Sequence, residues 1–190
     1  MVKRSLAETT LQEKVVYSGD FLKVRRDLAQ LPDGSTASRE FVVHPGAAAM
    51  VPIAEDERIL VERQYRYPMG AMYVEIPAGK LDAGEQSLQA ARRELLEETG
   101  YEAGRWAFLT QVHPAIGFSD EVMDLYLAKD LVLKERSMDV DEFLEVEWVT
   151  LGWMMDELRA GRLPDVKTQI AMHWLDRLYS GLWPWPSFDL

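Results

Sequence analysis

The stretch 79–101, GKLDAGEQSLQAARRELLEETGY, decides how the rest of the chain is read. Its second half predicts a helix over 86–99, with Gly100 as the residue that ends it. On a helical projection Leu88, Ala91, Leu95 and Thr99 fall on one stripe, which should face a core. Glu94 and Glu98 stand one turn apart on a line bordering that stripe, and Glu97 lies further round toward solvent. Taken alone, such a charge run reads as a solvated helix face. Its cost argues otherwise: like charges one turn apart repel, and the helix dipole disfavours negative charge near the C-terminus. Two carboxylates at the edge of a core can share one cation, and hard cations take oxygen ligands. Before the helix, 77–85 reads as a loop whose glycines let backbone approach a ligand. Glu85 sits near the helix start, where the dipole favours a carboxylate, and Arg93 and Glu97 are partners one turn apart.

Outward from this segment the chain reads as strands, then helices. Short β-rich runs at 14–17 and 21–28 precede a turn at Pro32-Asp33-Gly34-Ser35, and a strand at 39–44 closes on Pro45-Gly46. The runs 47–53 and 58–67 read as a buried pair joined by the charged turn 54–57, and 74–76 as a short strand stopped by Pro77. Further strands are expected at 106–112, 122–129 and 143–149, with an acidic, poorly periodic stretch at 131–142. Helices are expected near 151–160 and 165–179. The tail 182–190 carries Trp183-Pro184-Trp185-Pro186, which cannot be regular helix. The expected class is α/β (α+β): a mixed sheet sandwiched between helices. The expected organisation is an N-terminal antiparallel β extension over 1–45, a main domain over 46–180 and a tail over 181–190.

The bulk numbers limit the chemistry. The chain has 190 residues, 47% hydrophobic and 28% charged, which suits a globular domain. No apolar run is long enough for a membrane span, and the first residues lack the apolar region of a signal peptide. Cysteine is absent, which excludes disulfides, thiolate nucleophiles and zinc-thiolate sites and fits a cytoplasmic location. A net charge of -11 repels phosphate backbones, so nucleic acid is not expected as a partner. An acidic protein can still handle a phosphorylated substrate if its carboxylates first bind Mg²⁺ or Mn²⁺, which inverts the local electrostatics. His44, His113 and His173 have no metal-ligand spacing.

The segment resembles the Nudix box, G-x5-E-x7-R-E-U-x-E-E-x-G-U, with U a bulky apolar residue. Gly79, Glu85, Arg93, Glu94, Leu95, Glu97, Glu98, Gly100 and Tyr101 fill its slots. The flanks are similar to the ADP-ribose pyrophosphatase group: Arg63-Gln64-Tyr65-Arg66 and Glu75-Ile76-Pro77-Ala78 before the box, then Pro114, Gly117-Phe118-Ser119-Asp120-Glu121, Gly161 and Asp165-Val166-Lys167-Thr168 after it. Two departures stand out, Ile116 where many members have a second proline and Val140 in an acidic slot of the loop ending at Glu142.

The resemblance implies the Nudix fold and metal-dependent hydrolysis of a nucleoside diphosphate sugar, ADP-ribose first, to AMP and ribose 5-phosphate. It implies that Glu94, Glu98 and the carbonyl of Ala78 ligate two or three Mg²⁺ (or Mn²⁺) ions, that Glu97 and Arg93 belong to the catalytic set, and that the acidic loop supplies a base. Glu142 is the chosen base, with Asp139 and Asp141 in reserve. Arg39 and Arg66 are expected to pin phosphate or ribose oxygens, Glu75 to contact the substrate, and Tyr17 or Phe21 to stack on the base. For Tyr17 and Phe21, core or dimer packing is the weightier alternative. The resemblance also implies a homodimer in which N-terminal strands serve the partner's site. GDP-mannose or another sugar nucleotide, and a nucleotide-sensing module that cuts nothing, are the competing readings.

Overall fold

The β-rich half of the sequence separates into two sheet systems. The computed structural model describes residues 5–135 and 143–190. Its elements run β1 (Thr9–Gln12), β2 (Val15–Ser18), β3 (Lys23–Gln30), β4 (Thr36–Val43), β5 (Ala47–Pro52), β6 (Ile59–Arg66), β7 (Ala71–Glu75), β8 (Ala78–Lys80), α1 (Ser87–Thr99), β9 (Tyr101–Val112), β10 (Met123–Leu133), β11 (Leu144–Val149), α2 (Leu151–Arg159) and α3 (Val166–Tyr179). Two compact units result: Met1–Pro45 with Ala115–Val122, and Gly46–Pro114 with Met123–Leu190.

In the first unit β3 is the spine. β1 and β2 pair with successive stretches of it and β4 with its whole length, all antiparallel. The loop 115–122 is fastened to the end of β4: Val42 N–H donates to the Phe118 carbonyl at 2.8 Å, and His44 N–H to the Asp120 carboxylate at 2.7 Å.

The second unit is layered around the strand order β8-β5-β10-β9, in which β5 and β10 run parallel and the other pairs antiparallel. β5 explains the layers. Both of its faces are buried, so its sequence is an unbroken apolar run instead of an alternation. Ala48 and Met50 point to one core with Ala90, Ala91 and Leu95 of α1, and with Trp106 and Tyr126. Ala49 and Val51 point to the other, with Ile59 and Val61 of β6 and Met172 and Leu175 of α3. A second sheet, β11-β6-β7, belongs to that other side. The tail is tied down by Trp185 edge-on to Tyr179 and by Leu190 N–H donating to the Trp106 carbonyl at 3.3 Å.

Three expectations need correction. β5 and β6 do not form a pair of neighbouring strands; β10 takes the place beside β5, and only an isolated bridge, Ile53 to Ile59, joins the two. Ala78–Lys80 is a strand on the edge of a sheet, not loop. Thr9–Gln12 is an additional strand that the sequence reading left out.

Candidate active site

α1 begins with Gln86 N–H donating to Gln89 Oε1 at 3.3 Å, and it ends where Gly100 turns left-handed (φ 76°) so that its N–H reaches the Leu96 carbonyl. Of the expected stripe Ala91, Leu95 and Thr99 are buried and Leu88 is half-buried, and Ala90 beside them is buried as well. The depth of the acids follows from that stripe. Glu98, on its border, is only 3% exposed, Glu94 is largely buried and Glu97 is the most open of the three.

Arg93 organises this end of the helix. Its Nε and Nη2 donate to both oxygens of Glu85 at 3.0 and 2.9 Å, and Nη2 also to the Lys80 carbonyl at 2.9 Å. Nη1 donates to Glu94 at 2.7 Å and Glu97 at 3.0 Å. One planar fork therefore ties the loop before the helix to two acids on it, which a point charge such as lysine cannot do. The Glu85 carboxylate, ahead of Glu94 and Glu97, raises the Arg93 guanidinium further above its ordinary value, against partial burial. Arg93 in turn, with the Asp82 amide, holds the Glu85 carboxyl below the usual carboxylate range.

β8 lies against the same acids. Ala78 N–H donates to Glu98 Oε2 at 3.2 Å. Met50 N–H donates to the Pro77 carbonyl at 3.0 Å, so strand alternation turns both backbone groups of Ala78 away from β5, toward the sheet's open edge. The Ala78 carbonyl thus shares a side with Glu98. Gly79 is a close-approach position: a Cβ there would stand 1.8 Å from Glu94 Cδ.

This donor set fits a divalent cation. It consists of two carboxylates and a backbone carbonyl, all oxygen. Among the described residues no three His, Asp or Glu side chains group to hold a metal ion, so the protein offers only these two carboxylates and the carbonyl. An open set of this kind suits a hard cation that keeps waters and takes phosphate oxygens.

The other expected site residues lie as follows. Arg66 donates through Nε and Nη2 to both oxygens of Glu75, each at 2.7 Å. Glu75, expected to touch substrate, is buried and also receives Lys167. Burial alone would push its carboxyl up, but Arg66 and Lys167 together bring it below the usual range. Arg39 lies on β4 of the first unit and donates to both oxygens of Glu8 at 2.8 and 2.6 Å. Tyr17 and Phe21 are in the same unit and are both about half exposed, so neither packs into a core. Glu142, with Asp139 and Asp141, lies outside the described residues. The sequence reading places Lys167 and Thr168 in the helix entry 165–168, where Asp165 caps Thr168 N–H, but gives neither a part in the site.

Comparison with known proteins supplies the family. The sequence matches the NUDIX domain over residues 43–168 and the nucleoside diphosphate sugar hydrolase N-terminal domain over residues 8–42. It is 41% identical to the methanol dehydrogenase activator of Bacillus methanolicus, covering 88% of this chain and 92% of that one. It is 38% identical to an ADP-ribose pyrophosphatase of Bacillus subtilis, covering 90% and 94%. A crystal structure of an ADP compounds hydrolase shares the fold at a TM-score of 0.81, with 23% identity over 94% of this chain and 97% of the other.

Proposed function

The chain belongs to the Nudix hydrolase family, and from that membership we propose that it hydrolyses the pyrophosphate bond of a nucleoside diphosphate sugar, ADP-ribose first, to AMP and ribose 5-phosphate. The observation that carries this reading is the Arg93 fork, which holds Glu85, Glu94 and Glu97 together beside the Ala78–Glu98 contact.

Glu94, Glu98 and the Ala78 carbonyl would hold Mg²⁺ or Mn²⁺, two or three ions per site. Bound there, the cations neutralise the diphosphate and acidify a water. Arg93 keeps Glu94 and Glu97 in place without itself reaching for substrate. Glu142 is proposed as the base that takes the proton of the attacking water. The water oxygen bonds to one phosphorus, and the bridging oxygen departs with the other phosphate. Arg66 is oriented by Glu75 and presents Nη1, which has no hydrogen bond among the described residues, to phosphate or ribose oxygens.

Arg39 and Tyr17 are the proposed contacts to ribose and base, given across a homodimer. Leu11, Val15, Phe21 and Leu22 of the N-terminal unit are exposed apolar side chains, which supports a partner on that sheet. A cytoplasmic location belongs to the same proposal and rests on the absence of cysteine. Among the described residues no helix is long and apolar enough to cross a membrane.

The test is a panel of ADP-ribose, GDP-mannose and nucleoside triphosphates with Mg²⁺, with products separated by chromatography. AMP release from ADP-ribose, lost in Glu98→Gln, supports the proposal. Preference for triphosphates, or no turnover at all, overturns it. A second reading rests on the 41% identity with the methanol dehydrogenase activator: the chain stimulates a dehydrogenase. Adding it to methanol dehydrogenase and following methanol oxidation decides that question.

A further inference from the structure

The three residues that lead into the cation site are each pinned by a different element. Ile76 N–H donates to Thr168 Oγ1 at 2.9 Å, Met50 N–H holds the Pro77 carbonyl at 3.0 Å, and Ala78 N–H is taken by Glu98 at 3.2 Å. β5 and α1 supply two of these contacts. The third comes from the first turn of α3, 92 residues away in sequence. Ile76 and Thr168 are both fully buried, so no water stands in for the hydroxyl.

Thr168 is itself held. Its hydroxyl donates to Asp165 Oδ2 at 2.6 Å, which leaves the oxygen's lone pairs turned to Ile76. Asp165 Oδ2 also takes the Thr168 N–H at 2.9 Å and Lys167 Nζ at 3.2 Å, and Lys167 continues to Glu75. A helix cap requires only Asp165 and the Thr168 amide. The hydroxyl gives that cap oxygen a second donor beside the amide. It also supplies an acceptor for the Ile76 amide, the last N–H before Pro77.

We propose that Thr168 is a positioning residue for the cation site, its hydroxyl fixing Ile76 so that the Ala78 carbonyl and the Glu98 carboxylate stay aligned. This rests on the hydrolase reading above and extends it to a residue that touches neither the cation nor the substrate. Outer partners of a metal site set the orientation of its ligands, so losing one weakens metal binding and turnover together.

The experiment compares wild type with Thr168→Val and Thr168→Ser. Mn²⁺ binding to each protein without nucleotide is followed by electron paramagnetic resonance, and kcat and KM for ADP-ribose are measured in parallel. Thr168→Val should bind Mn²⁺ about 10-fold more weakly and lose about 10-fold in kcat, with KM little changed. Thr168→Ser keeps the hydroxyl and should restore both. Hydrogen exchange at the Ile76 amide should quicken in Thr168→Val alone. If valine is not accommodated, Thr168→Ala is read in the same way. Unchanged Mn²⁺ affinity in a folded Thr168→Val protein overturns the proposal, as does a serine variant no better than the valine one. If wild type binds Mn²⁺ but hydrolyses no nucleotide, the assigned reaction fails, and the Mn²⁺ comparison still decides the role of Thr168.

Discussion

The Ala78 amide and the Glu98 carboxylate meet at 3.2 Å although twenty residues separate them in the chain. The contact locks an edge strand to the last turn of a helix. It also holds a buried carboxylate at a helix end whose dipole works against it. A cation at the proposed site would offset that opposing dipole.

Glu98→Gln separates those two roles. The amide oxygen still accepts from Ala78, but the charge is gone. Turnover of ADP-ribose should fall by about 100-fold. In EDTA the variant should melt no lower than wild type, because a repulsive neighbour of Glu94 has been neutralised. AMP release by chromatography and a melting curve with and without Mg²⁺ check both halves. In wild type the same EDTA should abolish turnover without unfolding the protein, and Mg²⁺ should restore it.

Gly79→Ala puts a methyl group where Glu94 already stands, 1.8 Å from its Cδ. Either the glutamate swings out or the strand backs away. A shift of this size at a reacting centre costs about 100-fold in rate. Overpacking of this kind destabilises by about 1–3 kcal/mol. Urea denaturation and kcat measured on the same sample should show both.

Arg93→Lys keeps the charge and loses the fork. Lysine can approach one carboxylate well, but it cannot span Glu85 on the loop and Glu94 on the helix. Turnover should drop by at least about 10-fold, the scale of a lost partner beside a metal site. The drop should exceed that of Arg92→Lys, a neighbour that makes none of these contacts. A comparable loss in both variants would count against the fork.

Acid stability should depend on Glu75. Arg66 and Lys167 hold its folded carboxyl below the ordinary value against burial. The sign follows from that direction: this stabilisation is complete above the unfolded carboxyl's pKa and is lost as pH falls through the folded one. Lys167→Met removes one of the two partners and leaves more of the buried charge uncompensated. Breaking a buried pair in this way costs about 3–5 kcal/mol. The acid limb of a melting-temperature profile should move to higher pH in this variant.

The helix 86–99 and its acids were legible because their signals are local: a stripe, a left-handed stop and charges one turn apart. Glu98 was placed correctly at the border of the core by that projection alone. β8 was not legible, since Ala78-Gly79-Lys80 carries loop composition and becomes a strand only because β5 offers it an edge. The neighbours of β5 were also out of reach. An apolar strand buried on both faces does not say which strand it pairs with, and β10 arrives from far along the chain. Thr168 was read as part of a helix start, which it is, but its bond to Ile76 spans 92 residues and leaves no periodic trace.

β8 is three residues long and sits at the outer margin of its sheet. Such a margin ordinarily exposes backbone groups that recruit a strand from another molecule, the first step toward aggregation. Here the outward amide of Ala78 is already engaged by a glutamate, and acidic side chains crowd the approach. The acids proposed for the cation site therefore also guard this edge against strand addition.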